Sequence, residues 1–269
     1  MDQRSVIEAA LSALSVRWDE SYKVLAVPDE VERVLPAVDL LVQGKDGRLL
    51  VVEHTIVESF ADRIRDDVQV SDFAAQVESE LACTLPKPGH YRVVLDPVSL
   101  PGRRGLGDLV TAVCEWVGSN APSLEVGSPH SAPRHIREDV LAPSDLKVRL
   151  ERWPGRDGQV FVFRSVPEDL EEMRSERVNN ALEAKCPKLA DARADASESI
   201  LVLQSNDLAL GNYSDIAAAV MAGLTDRTDT PDVVCLVETD AGITVWLIKE
   251  RDALFPDLPS PGPLMGGRI

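Results

Sequence analysis

Residues Ala37–Thr55 read AVDLLVQGKDGRLLVVEHT. Two runs of aliphatic residues, Ala37–Gln43 and Arg48–Thr55, flank the tetrapeptide Gly44-Lys45-Asp46-Gly47. A type I turn over Lys45-Asp46, closed by Gly47 in the left-handed region, makes a three-residue hairpin loop. In that register Asp39 stands opposite Glu53. Because side chains alternate across a strand, Asp39, Leu41, Val51, Glu53 and Thr55 share one face, and Val38, Leu40, Val42, Leu50 and Val52 form an apolar face opposite. Strands this apolar are buried strands, and a charge among them is costly unless it is paired, protonated or bound to a cation. Two facing carboxylates repel each other and raise an apparent pKa, which favours a divalent cation that both can ligate. The plainer alternative is a wet strand end where one of the acids meets an arginine.

With 45 Asp and Glu against 28 Lys and Arg in 269 residues, the formal net charge is −17. Such a chain repels polyanions at long range, which argues against broad nucleic-acid affinity and leaves room only for a compact local site. No apolar run approaches the roughly 20 residues that span a bilayer, and the N-terminus lacks the charged and apolar segments of a signal peptide. The expectation is a soluble, cytoplasmic protein with no membrane contact. Cys83, Cys114, Cys186 and Cys235 are far apart and form no C-x-x-C pair, so each is expected to be a reduced, small core residue.

Outside the hairpin, the spacing of apolar residues predicts a helix over Arg4–Trp18 and a short strand over Tyr22–Val27. A helical pattern runs from Val57 to Cys83 and slips phase near Val70, which predicts a kink or break with Ser71 capping a second helix. A strand at Tyr91–Leu95 follows. Gly102-Arg103-Arg104-Gly105 then precedes a helix over Leu106–Val117; a basic turn at a helix N-terminus can receive a phosphate, although this one lacks P-loop spacing and reads first as an ordinary loop. The region 119–157 is rich in Pro, Ser and Gly, with a strand at Leu146–Arg152 and with His130 and His135 as loop residues. Next come a strand over Gln159–Val166, a helix opened by Pro167 and broken or restarted at Pro187, and a buried strand over Ser199–Gln204. A helix over Tyr213–Leu224 and a hairpin of Asp232–Thr239 with Ile243–Lys249 complete the pattern. This order predicts one α/β domain over residues 1–250, a mixed central sheet with helices on both faces, and a Pro- and Gly-rich tail over 251–269.

Asp39 on one strand of the hairpin and Glu53-His54-Thr55 on the next resemble the acid and acid-x-lysine pattern of the PD-(D/E)XK nuclease-like family, also called restriction-endonuclease-like. The resemblance implies a restriction-endonuclease-like fold in which Asp39 and Glu53 hold Mg²⁺ or Mn²⁺. It also implies a metal-dependent phosphodiesterase or nuclease that hydrolyses phosphodiester bonds of nucleic acid. Two departures stand out: Val38 precedes Asp39, with Pro36 further upstream, and Thr55 occupies the lysine position. A threonine hydroxyl can position the attacking water but cannot offset charge on the scissile phosphate. Related sequences can draw that lysine from a neighbouring helix. Lys185 and Lys188, two of only seven lysines, flank the expected break at Pro187, and Lys188 is preferred, the plainer reading being that both face solvent. Glu8, in the first helix, matches by position a third acidic ligand of the family, although a glutamate there also serves the helix dipole. The alternative expectation is a catalytically inactive nuclease-like scaffold that binds a protein partner or regulates one, which suits both Thr55 and the acidic balance.

Overall fold

The computed structural model describes residues 2–27, 38–59, 63–96, 100–101, 103–126, 136–142, 145–207, 213–240 and 242–254. Helix α1 (Gln3–Trp18) leads into β1 (Tyr22–Ala26), and β2 (Leu40–Gly44) and β3 (Leu49–Ile56) form the expected hairpin. Leu40 pairs with Val52 and Val42 with Leu50, and Gly47 adopts a φ of 86° that a side chain would strain. The Gly47 and Gly44 N–H groups donate to Gly44 O and Arg48 O at 3.0 and 2.9 Å, closing the loop.

The remaining elements are α2 (Arg63–Glu80), β4 (His90–Leu95), α3 (Arg103–Asn120), β5 (Ile136–Leu141), β6 (Leu146–Trp153) and β7 (Val160–Arg164). They are followed by α4 (Leu170–Ala192), β8 (Glu198–Ser205), α5 (Tyr213–Leu224), β9 (Val233–Glu238), β10 (Thr244–Glu250) and β11 (Ala253–Leu254). The fold is mixed α/β, as expected, but the chain parts into two compact units rather than one domain over 1–250. The first unit is Met1–Ala61 with Asp169–Ile269, and the second, Asp62–Glu168, is inserted between β3 and α4.

In the first unit a seven-stranded sheet runs β1-β2-β3-β8-β9-β10-β11. β3, β8 and β9 are parallel and the outer pairings antiparallel. Every residue of β8 and β9 is buried, the signature of central strands covered on both faces. α1 lays Val6, Ala10 and Leu14 on the face formed by Leu40, Val42, Leu50 and Val52. α4 and α5 cover the other face, where Val51, Leu201 and Leu203 meet Val178, Leu182 and Val220. Val38 joins that second cluster, contrary to the alternation, because the strand begins only at Leu40 and the chain bends at Asp39.

The second unit has its own four-stranded mixed sheet, β5-β6-β4-β7, and its own core against α2 and α3, so its strands complete a sheet without joining the first. The irregular region 119–157 thus carries two strands, β5 and β6, of which only the second was legible. α2 passes through Ser71 without a break; Phe73, Val77 and Leu81 set its buried face, while Val68 of the competing register is 60 % exposed. α4 likewise passes through Pro187, which is exposed, as is Glu183, whose carbonyl loses its helical N–H partner to the proline. Arg103 and Arg104 belong to the first turn of α3 rather than to a loop before it. Cys186 and Cys235 are buried as expected, Cys114 is half-buried, and Cys83 is exposed with a φ of 61°. His130, His135 and residues 255–269 of the tail lie outside the described residues. Among the described residues, no helix is long and apolar enough to cross a membrane.

α1 is tied to β10 by Glu250, whose carboxylate accepts from the Arg17 guanidinium and the Trp18 indole N–H. The Arg17 hydrogen bond, joined by that of Trp18, holds the Glu250 carboxyl below its ordinary value against the opposing effect of burial. A depressed carboxyl contributes stability that is present above its unfolded pKa and lost as the pH falls through the folded one. Glu250→Gln is therefore expected to lower the unfolding free energy by about 2 kcal/mol at neutral pH. In urea titrations the gap to wild type should close as the pH drops below the carboxylate range; a gap that persists there would mean that charge is not what holds this contact.

Candidate functional site

β3 carries Glu53 into the first sheet, with Leu201 of β8 on one side and the residue just before β2 on the other. The pairing of Leu40 with Val52, carried one residue further, sets Asp39 beside Glu53 as the hairpin register requires. At that point β2 has not yet begun, and the Asp39 carboxylate substitutes for it: Oδ2 accepts the His54 N–H at 2.7 Å. This bond fixes the Asp39 side chain and satisfies a backbone donor that has no strand opposite.

Glu53 has no exposed surface. Its Oε2 accepts a hydrogen bond from Lys185 Nζ of α4, and the same ammonium lies 3.9 Å from Asp39 Oδ2. The other oxygen, Glu53 Oε1, is buried with no hydrogen-bond partner. Burial pushes the Glu53 carboxyl up, the Lys185 ammonium pulls it down, and the neighbouring Asp39 charge raises it again. Lys188, one turn beyond Lys185, acts on Glu53 in the same sense as Lys185. His54 points to the opposite face, where its Nε2 is 2.9 Å from Gln204 Oε1, and burial holds its imidazole below the ordinary value.

α4 brings more than one cation to this face. Val178, Leu182, Cys186 and Leu189 anchor its buried side, and Arg177, Lys185 and Lys188 follow one shoulder of the helix, all half-buried. Arg177 and Lys188 are three helical turns apart, a span of about 16 Å. Asn179, on the other shoulder, faces α5, where a Cβ on Gly223 would meet its Oδ1 at 2.4 Å. Of this shoulder, Lys185 reaches Glu53 of β3 directly, and Lys188 acts on it from a turn away. Thr55, half-buried, shares the Glu53 face of that strand.

The sequence-derived candidates thus divide. Asp39, Glu53, Lys185 and Thr55 come to one face, and Lys188 stands a turn away. Lys185, not the preferred Lys188, makes the contact, because α4 is continuous through Pro187 and turns Lys185 rather than Lys188 onto Glu53. Glu8 is not part of the group: α1 covers the opposite face of the sheet, and Glu8 pairs at 2.9 Å with Arg4 on its exposed side. Arg177 was missed, although its eight- and eleven-residue spacing to the two lysines marks a shared helix face.

Two carboxylates are few for an all-protein cage, and among the described residues no group of three or more His, Cys, Asp or Glu side chains is arranged to hold a metal ion. Mg²⁺ is commonly bound by only one or two carboxylates, with water and substrate phosphate completing the shell. The oxygen-only pair and the orphaned Glu53 Oε1 fit such an ion. In comparisons with known proteins, the chain matches no family model, no curated protein and no solved structure.

Removing one partner of a buried ion pair leaves an uncompensated charge. Lys185→Met is expected to lower the unfolding free energy by about 3 kcal/mol at neutral pH. Adding Glu53→Gln to it should restore most of that loss in the double variant. Additive losses in the same urea titrations would show that the two side chains do not share one interaction.

Proposed function

We propose that the chain is a cytoplasmic, metal-dependent phosphodiesterase that hydrolyses phosphodiester bonds of nucleic acid, with Mg²⁺ or Mn²⁺ as its cofactor. The observation that carries this reading is the position of Lys185 Nζ, bonded to Glu53 and 3.9 Å from Asp39. It supplies from a helix the cation that the resemblance requires and that Thr55 cannot. When bound, a divalent ion would polarise the scissile phosphate and lower the pKa of the attacking water.

Each residue then has a task. Asp39 and Glu53 offer the carboxylate oxygens, Asp39 held by the His54 N–H and Glu53 by the pairing of β3 with β8 and by Lys185. Lys185 keeps the paired acids from repelling each other in the free protein and faces the charge that develops on the phosphate in the complex. The Thr55 hydroxyl positions the attacking water on the same strand face. Arg177 and Lys188 extend the positive field along α4 and meet phosphates on either side of the scissile one. This gives a chain of net charge −17 a narrow strip on which a polyanion is not repelled.

One observation favours a second reading. The Lys185 ammonium already offsets Glu53, so the acids can persist as a structural ion pair in an inactive scaffold that binds a protein partner. Metal linkage separates the two readings. A cation at 100 times its dissociation constant adds about 2.7 kcal/mol to stability. Thermal melts in Mg²⁺, Mn²⁺ or Ca²⁺ should move upward for wild type and not for Asp39→Asn or Glu53→Gln. Mixed DNA and RNA substrates with Mg²⁺ or Mn²⁺ should be cut by wild type and spared by Glu53→Gln and Lys185→Met. Equal melting shifts in all three proteins, with no cleavage by any, would leave the scaffold as the function.

A further inference from the structure

The ion pair of Glu53 and Lys185 is incomplete at both ends. Glu53 has no exposed surface, its Oε2 accepts from the Lys185 ammonium, and its Oε1 is buried with no hydrogen-bond partner among the described residues. An ammonium carries three donors. Among the described residues that of Lys185 makes a hydrogen bond to Glu53 alone, with Asp39 Oδ2 at 3.9 Å as its other ion-pair partner. The lysine side chain is 18 % exposed and the glutamate not at all, so solutes meet the lysine end of this contact rather than the glutamate end. A buried pair kept for stability alone needs its remaining lone pairs and protons satisfied, because desolvation otherwise outweighs the Coulombic gain. Here an acceptor is spare on one side and donors on the other. The first suits a cation and the second an anionic oxygen.

These two ligands do not bind independently. A divalent cation that takes the oxygens of Glu53 and Asp39 meets an ammonium already seated on Glu53, and so buried a site screens their repulsion poorly. Either the cation binds against that charge or Lys185 gives up its hydrogen bond, and each costs affinity. Taken as ions, the two acids and the lysine carry one net negative charge, which a divalent cation overshoots. Lys188 adds positive charge from a turn away. A phosphodiester monoanion offsets the excess, and its oxygen gives the ammonium an acceptor in place of the carboxylate. Phosphate then favours the cation, and the cation favours phosphate by the same factor.

We infer that Lys185 gates the metal site: in the free protein its ammonium holds Glu53 against a divalent cation, and a phosphodiester that takes over the ammonium admits the cation. This rests on the reading that Asp39 and Glu53 serve a divalent ion in phosphodiester hydrolysis, and it adds the regulation of that site by its own substrate. The gate has a consequence opposite to that of a supporting residue, since Lys185 lowers metal affinity in the free protein.

The test is Mn²⁺ binding to the full chain, followed by electron paramagnetic resonance of the free aquo ion, with and without saturating dimethyl phosphate. Wild type should bind Mn²⁺ roughly fivefold or more tightly when the phosphodiester is present. Lys185→Met should bind Mn²⁺ roughly fivefold or more tightly than wild type without the phosphodiester, and should gain less than about twofold from its addition. Lys188→Met, which lowers the positive charge without freeing Glu53, should keep the phosphodiester effect. The wild-type comparison needs no variant, so it decides the matter even where Lys185→Met fails to fold. A wild-type Mn²⁺ affinity unchanged by dimethyl phosphate, or a Lys185→Met affinity no higher than that of wild type, would overturn the gate and leave metal binding in place. No Mn²⁺ binding by wild type in either condition, or equal binding by Glu53→Gln, would remove the metal-dependent reading and the gate with it.

Discussion

A carboxylate without exposed surface, set on β3 beside Leu201 of β8, is costly to bury unless a cation reaches it, and for Glu53 that cation is Lys185. Desolvation raises the Glu53 pKa and Asp39 raises it further, so the ammonium is the counterweight that lets two acids occupy one face of a buried sheet. The surrounding structure serves this contact. β8 fills the far side of β3, α4 anchors through Val178, Leu182 and Leu189, and the Asp39 carboxylate is tied to the β3 backbone. Under the proposed function, Asp39 and Glu53 would hold the divalent ion, and Lys185, which offsets Glu53 in the free protein, would face the substrate phosphate.

Among the described residues the two units share no sheet and no core cluster, which accounts for how the long insertion is tolerated. The second unit leaves and re-enters the first between β3 and α4, and neither sheet needs a strand from the other.

What the sequence made legible was local. The hairpin, its turn at Gly47 and the opposition of Asp39 to Glu53 follow from a period of two and one glycine, and all of them are found. The helices over Gln3–Trp18 and Tyr213–Leu224 follow from their apolar stripes. What stayed hidden depended on contacts across long separations. Lys185 is 132 residues from Glu53, and no spacing rule joins them. Pro187 read as a helix break because its exposed position, where the lost hydrogen bond costs little, is not visible in one dimension, and that misplaced the choice between the lysines. Glu8 was assigned to the right helix, but the sheet face that helix covers is set only by packing. The insertion was missed for the same reason: 62–168 has ordinary strand and helix patterns, and nothing local says that they close on themselves.

The most direct measurement is anomalous scattering from crystals of the protein grown or soaked with Mn²⁺. The account predicts a single anomalous peak within coordination distance of Glu53 Oε1 and the Asp39 carboxylate, with Lys185 Nζ displaced from between them. Crystals that show no peak there, and an ammonium still seated on Glu53 Oε2 at high Mn²⁺, would contradict it.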